Sequence, residues 1–371
     1  MRIGQDEAFA RIRLLRSPNV GPVTYHQLLR RFGEAGAALA ALPDLAARGA
    51  MSYRPAPEGR IADEILATKR AGARYLFHDS PEYPALLAQI EGAPPILTLR
   101  GDAGLLARPA VAVVGARNAS AGAVKLARDF AAALAEAGLA VVSGLARGIV
   151  GAAHRGALAA GGATIGVIAS GIARAYPPEH ADLQEEVATR GLLLAEQPPG
   201  TEPLARHFPS RNRIIASLAA GTLVVEAAPK SGSLITARLA GEAGREVMAI
   251  PGSPLDTRSR GCNQLIRDGA VLVQSPEDVI ELLSGFTGQP RSTFREPAAV
   301  RSFDIAPAEV PASAPAELSA LLTTAPVAVD ELIRQSGESP AAVQLALLEM
   351  ELGGRLVRHA GGRVSLGGGP G

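Results

Sequence analysis

Apolar and polar residues recur at helical spacing from the start of the chain to about Ala71, and the period then changes. Within this first stretch, Leu14-Leu15-Arg16-Ser17-Pro18-Asn19-Val20-Gly21-Pro22-Val23-Thr24 precedes Leu28, Leu29 and Phe32-Gly33. A Gly-Pro turn between two helical patterns, with backbone N–H groups free at the start of the second, predicts one of two things. It is either a helix-hairpin-helix that holds a phosphate without reading bases or a plain helical hairpin turning at Gly21. Arg54-Pro55-Ala56-Pro57 reads as a turn, and Ile61–Arg70 is amphipathic with Ile61, Ile65 and Leu66 on one side.

From Gly72 short apolar runs alternate with helical patterns: Tyr75–Phe77, Ile96–Leu99, Val111–Val114, Leu139–Val142, Thr164–Ile168, Leu192–Ala195, Leu223–Val225, Val247–Ile250 and Val271–Val273. Runs of this length read as strands buried on both faces, which predicts an α/β fold, a Rossmann-like parallel sheet covered by helices. After Ser284, Gly285–Pro315 is rich in proline and serine and reads as a flexible linker. Ala316–Leu366 then carries three helical patterns and a Gly-Gly hairpin between Leu356-Val357 and Val364-Ser365-Leu366, the order of a winged helix. The expected domains are therefore residues 1–71 (helical), 72–285 (Rossmann-like), 286–315 (linker) and 316–367 (winged helix). The helix in the recognition position, Pro340–Glu349, has no Arg or Lys, which favours a protein-interaction or self-packing role. Arg355, Arg358 and Arg363 on the wing leave DNA reading open.

In parallel sheets ligands collect at the carboxyl ends of the strands. Three loops of this chain fall there. Val111–Val114 runs into Gly115-Ala116-Arg117-Asn118-Ala119-Ser120, and Leu139–Val142 into Ser143-Gly144-Leu145-Ala146-Arg147-Gly148. Leu223–Val225 runs into Glu226 and then Lys230-Ser231-Gly232-Ser233, with Thr236 in the helix that follows. Small-residue turns leading into helix starts predict a floor for phosphate groups. Ahead of the third loop stands a basic segment, Arg206, His207, Phe208, Arg211, Asn212 and Arg213, with no acidic residue between Pro203 and Glu226. Ser210 is expected to cap a helix beginning at Arg211, and Ser231 or Ser233 a second running to about Ala243, so that two helix N-termini face one anion. Phe208 is placed to stack on a base.

Composition limits what such a site serves. The net charge is only +1, so nucleic-acid binding has to come from a local patch rather than a global field. A single cysteine, Cys262, excludes an intrachain disulfide and a cysteine-rich zinc site. No metal-ligand spacing occurs, and neither metal nor cofactor is expected. The first residues lack a secretory apolar core, and the longest apolar stretch, Ile214–Val225, is too short for a membrane, so a soluble cytoplasmic protein is expected. Gly115 lacks the further glycines of a dinucleotide fingerprint, and no Walker loop is present. His154 has no nucleophile partner in the pattern and reads as a packed histidine. Glu226 and Glu196 both end strands near the crevice; either could act as a base, and Glu226 could instead hold the Arg213 fork.

The segments Tyr83-Pro84-Ala85-Leu86-Leu87, Pro94-Pro95-Ile96-Leu97, Val111–Arg117, Val142–Ile149, Ala153–Leu158, Phe208–Ile215, Val224–Ala227, Ser231–Ala237 and Pro251-Gly252, in this order, resemble the central domain of the DprA/Smf DNA-processing family. The resemblance covers Gly72–Leu283, and the tail resembles the winged helix found in many members. It implies binding of single-stranded DNA taken up in natural transformation and loading of the RecA recombinase onto it, by a homodimer without enzymatic activity. It further implies that Arg117 and the Arg211-Asn212-Arg213 segment lie in the DNA pocket. Where the family usually reads Gly-Ile-Asp, this chain has Val150 after Ile149, which removes a carboxylate at the helix start. The turns are also similar to those of nucleotide phosphoribohydrolases, in which a crevice arginine and glutamate act on an N-glycosidic bond; that enzyme is the alternative reading.

Overall fold

The computed structural model describes residues 3–47, 53–285, 316–359 and 361–367. The expected linker, residues 286–315, lies outside the described residues. The chain divides into two compact units, one of residues 1–62 and 294–371 and the other of residues 63–293.

The second unit is built on one nine-stranded sheet: β1 (Arg74–Phe77), β2 (Ile96–Gly101), β3 (Ala110–Val114), β4 (Ala140–Ser143), β5 (Thr164–Ile168), β6 (Leu192–Ala195), β7 (Gly221–Val224), β8 (Glu246–Ala249) and β9 (Val271–Leu272). Their spatial order is β1-β2-β6-β5-β4-β3-β7-β8-β9. All neighbours from β6 to β9 pair in parallel, with Val111 opposite Val141 on β4 and Val113 opposite Leu223 on β7. β2 departs from the expected parallel arrangement and runs against both β1 and β6. The reason is local: the connection from β1 to β2 carries only the four-residue helix Ala85–Ala88, not the long crossover helix that a parallel pair requires.

The central strands β3 to β7 are buried at every position because both faces are covered. From β3, Ala112 and Val114 pack with Ile214, Ile215 and Leu218 of the helix His207–Leu218. On the opposite face, Val111 and Val113 pack with Phe130 and Leu134 of the helix Ala121–Glu136. The chain leaves β3 for β4, β5 and β6 on one side and returns to β7, β8 and β9 on the other. Connections therefore diverge past Val114 and Val224, and the crevice between them is where such sheets take ligands.

In the first unit, the helices Gln5–Arg16, Pro22–Phe32 and Ala35–Ala47 bury Leu14, Tyr25, Leu28, Leu39 and Leu42 in a common core. The tail contributes a 3-10 segment, Ala316–Leu321, the helices Val329–Ser336 and Pro340–Leu352, and a small sheet in which β12 (Arg363–Leu366) lies between β10 (Val327–Ala328) and β11 (Leu356–His359). Ser339 caps the last helix by accepting from the Ala342 N–H at 3.2 Å. Gly361 and Gly362 turn the hairpin at φ of 74° and 61°, values that side chains with a Cβ rarely adopt.

Candidate nucleic-acid interface

The loops at the carboxyl ends of β3, β4 and β7 are locked together by their backbones. The Ala116 N–H donates to the Glu226 carbonyl at 2.7 Å, and the Ile149 N–H donates to the Ala116 carbonyl at 3.2 Å. Gly148 sits at φ 71°, where an added Cβ would lie 2.3 Å from the Ala116 oxygen. Gly115 is equally constrained, since a Cβ there would fall 2.6 Å from Ile149 Cγ1. The Glu226 carboxylate closes the assembly: it accepts from the Ser120 N–H at 3.0 Å and the Ser120 hydroxyl at 2.6 Å, and Ser120 in turn caps the helix Ala121–Glu136. Glu226 therefore holds the loop after β3 rather than Arg213, contrary to one expectation from the sequence. Arg213 instead pairs with Glu196 just past β6, and both side chains are largely buried.

The helix carrying the basic segment starts at His207, not Arg211, and Arg206 rather than Ser210 stands at its N-cap position. Ser210 hydrogen-bonds the Arg206 carbonyl within the helix instead. Arg211 consequently belongs to the second turn, and its side chain passes beneath the crevice. Its Nη1 donates to the Val167 carbonyl at 3.1 Å, its Nε has no partner, and no carboxylate reaches it among the described residues. A Cβ on Gly144 would lie 1.4 Å from that Nη1, so the absence of a side chain at Gly144 is what makes room for the guanidinium. Burial, and then the neighbouring Arg117, lower the Arg211 pKa to about 10, which still leaves it charged at neutral pH.

Phe208 gathers the exposed side of the cluster. The Arg117 guanidinium stands 5.0 Å from its ring centroid and that of Arg211 5.9 Å away, contacts worth about 1 kcal/mol each. Tyr176 meets the same ring edge-on at 5.8 Å and is 40% exposed. Tyr176 escaped the sequence reading; the signal was an aromatic residue in the loop that leaves β5 at the same end of the sheet.

The remaining expected site residues are distributed differently. Ser143 is buried and spends its hydroxyl on the Val113 carbonyl at 2.6 Å, tying β4 to β3. Ser231 caps the helix Gly232–Glu242, its hydroxyl lying 2.8 Å from that of Ser233; Ser233 and Thr236 are buried. Lys230 is exposed at φ 66°, Gly232 is exposed beside it, and Asn212 is half-buried. His207 is buried, and its Nδ1 accepts from the Leu204 N–H at 3.3 Å. Arg147 is at the surface in an ion pair with Glu179. Gly115, Arg117, Gly144, Phe208 and Arg211 are thus the members brought together around one crevice.

His154 lies beneath this floor, fully buried, with Nδ1 2.8 Å from Thr164 Oγ1. Thr164 donates its own proton to the Val141 carbonyl at 3.0 Å, so Nδ1 carries the imidazole hydrogen. Burial first, and then Arg211 and His180, push the His154 pKa down to about 3. Between that value and about 6.5 the unfolded chain binds a proton that the folded one refuses, so this stability is complete above 6.5 and is lost as the pH falls. At pH 5 the loss amounts to about 2 kcal/mol relative to neutral pH. Replacing His154 with Asn is expected to remove that share of the acid dependence, as read from urea unfolding at pH 7.5 and pH 5.

A separate cavity of about 740 Å³ opens at the amino-terminal ends of β3 and β7, lined mainly by apolar residues such as Leu86, Leu106, Leu218 and Leu283. It lies at the opposite end of the strands from the charged cluster. Among the described residues no group of side chains could hold a metal ion, and no helix is long and apolar enough to cross a membrane.

Residues 74–284 match the family of the DNA recombination-mediator protein A, residues 5–67 the DprA-like N-terminal HHH domain, and residues 304–362 the DprA winged helix domain. The DNA processing protein DprA of Streptococcus pneumoniae is 48% identical over 198 residues, 53% of this chain and 70% of that protein. Protein Smf of Escherichia coli is 36% identical over 327 residues, 87% of this chain and 85% of its own. The crystal structure of the Streptococcus pneumoniae protein superposes with a TM-score of 0.64 at 36% identity, covering 76% of this chain and 98% of that one. A structure of DNA processing protein A from Helicobacter pylori, described for its single-stranded DNA binding mode, gives 0.52 at 28% identity over 58% of this chain and 97% of its own.

Proposed function

This chain belongs to the DNA recombination-mediator protein A family, and we propose that it is a DNA-processing protein that binds single-stranded DNA in the crevice past β3 and β7. One observation carries the reading: a buried arginine without a counter-ion, Arg211, beneath an exposed one, Arg117, with an aromatic ring between strand ends and solvent. A buried unpaired cation is costly by itself and is stabilised by an incoming anion. A phosphodiester supplies one charge per nucleotide, and Phe208 and Tyr176 add apolar ring surface that every base can use without sequence preference. Single-strand preference follows from the same geometry, because ring surface at a crevice meets bases only when they are unpaired.

Both glutamates that a hydrolase would use as a base are already engaged, Glu226 by Ser120 and Glu196 by Arg213, which supports a binding role over N-glycosidic chemistry. Handing the strand to RecA in natural transformation, within the cytoplasm, is the role that the family resemblance adds. Pairing with a second copy is supported by the edge strand β9, which exposes Val271 and Leu272.

The deciding experiment is a fluorescence-anisotropy titration of labelled oligothymidine, single-stranded and duplexed, at two salt concentrations. Binding that prefers the single strand and weakens with salt is expected. Replacing Arg117 with Ala should lower the affinity and reduce the slope of log affinity against log salt by about 0.7, the share of one phosphate on a single strand. An unaltered slope would remove Arg117 from the interface, and absence of binding to either form would return the weight to a nucleotide-hydrolysing enzyme.

A further inference from the structure

Two elements of the first unit have the architecture of nucleic-acid contacts: the hairpin at Gly21-Pro22 and the helix Pro340–Leu352 of the winged helix. In a winged helix, one face of this helix packs on its own domain and the opposite face enters the groove of DNA. Here both faces are buried. Val343, Ala346, Leu347 and Met350 pack in the core of the tail. Leu348 and Leu352, four residues apart on another face, are buried instead in the core formed by the N-terminal helices, with Leu14, Tyr25, Leu28, Leu39 and Leu42. Gln344, one further turn back along the same stripe, bonds Gln27 at 2.8 Å.

The hairpin is engaged from the other side. Asn19 takes φ 59° and donates its side-chain N–H to the Leu352 carbonyl at 3.0 Å, so the hairpin satisfies a carbonyl that the end of the helix leaves free. The wing joins in: Arg358 pairs with Glu351 at 2.8 Å, both side chains mostly buried, and its Nη2 lies 3.5 Å from the Gln27 oxygen. Arg358 is therefore held inside the protein, while Arg355 and Arg363 are exposed on the wing. The lack of any Arg or Lys on the helix opposes an approach by DNA in any case.

We propose that the outward face of the Pro340–Leu352 helix is a protein-docking surface whose partner is the N-terminal helical hairpin of the same chain. The two ends of the chain then form one module, and neither its hairpin nor its recognition-position helix contacts nucleic acid. The proposal does not rest on the crevice, whose residues all belong to the other unit.

Hydrogen exchange on the full chain tests the joint. Leu348→Asn puts an uncharged polar group into the shared core without touching the residues of the tail's own core. It is expected to raise amide exchange at least about tenfold in the segment 19–28 while β11 and β12 stay protected. If β11 and β12 lose protection as well, the paired substitution Asn19→Ala and Gln27→Ala, which leaves the tail intact, should raise exchange at the carboxyl end of the Pro340–Leu352 helix. Unchanged exchange across the joint in both variants overturns the proposal. Duplex DNA affinity, measured in parallel, is expected to be the same in the variants and the parent; a gain on loosening the joint would show that the two elements are masked DNA contacts and would also overturn it.

Discussion

Replacing Arg211 with Met should weaken binding of single-stranded DNA by about ten- to a hundredfold, the worth of a charge-assisted hydrogen bond to phosphate. The same change should leave the protein at least as stable as before. The two expectations have one cause. Arg211 is 6% exposed, and its guanidinium has an unpartnered Nε and faces another arginine instead of a carboxylate. Lowering its pKa from 12.5 to about 10 corresponds to about 3 kcal/mol of disfavoured charge in the folded protein. Methionine fills similar apolar volume without that charge. It forfeits the bond to the Val167 carbonyl, worth about 2 kcal/mol, so the net change in stability lies between zero and a small gain. The slope of log affinity against log salt should fall by about 0.7 as one phosphate contact is lost. A variant that melted well below the parent yet bound DNA normally would make Arg211 a structural residue and leave the crevice without its floor.

Gly144→Ala should produce nearly the same loss of affinity without removing any charged group. The new methyl carbon would stand 1.4 Å from Arg211 Nη1, so the guanidinium has to leave its place beside the Val167 carbonyl. Gly144 is not among the glycines at positive φ, so the backbone itself accepts alanine. The loss should therefore act through Arg211 alone, and the double variant with Arg211→Met should bind no more weakly than Arg211→Met by itself. Additive losses in that double-mutant cycle, or full affinity in Gly144→Ala, would break the link between the two residues. The pairing also accounts for a glycine in this turn more specifically than a general need for small residues near phosphate.

Much of the fold was legible in the order of apolar and polar residues. The central strands β3 to β7 are buried at every position and so leave a mainly apolar mark in the chain, while the edge strand β9 was legible from its apolar residues although both are exposed. Turn and cap chemistry was legible for a similar reason: Ser231 and Ser339 act on N–H groups within three residues, a range that sequence spacing records. The grouping of the three strand-end loops followed from the general placement of ligands in parallel sheets.

What tertiary structure decided were the partners. The choice of Glu196 rather than Glu226 by Arg213 and the commitment of Glu226 to Ser120 join residues apart in the chain, where many pairings satisfy the same charges. The start of the helix at His207 carried Arg211 from the rim to beneath the floor, a displacement that no composition rule anticipates. The use of Gly144 as space for a guanidinium, and the burial of the Pro340–Leu352 helix on two sides, depend on which surfaces meet. By itself the sequence determined the kinds of element and the chemistry available at their ends, because those depend on neighbours within a few residues. Only the folded chain decided which charges are paired and which are left for a ligand, because burial and partner distance are properties of the whole.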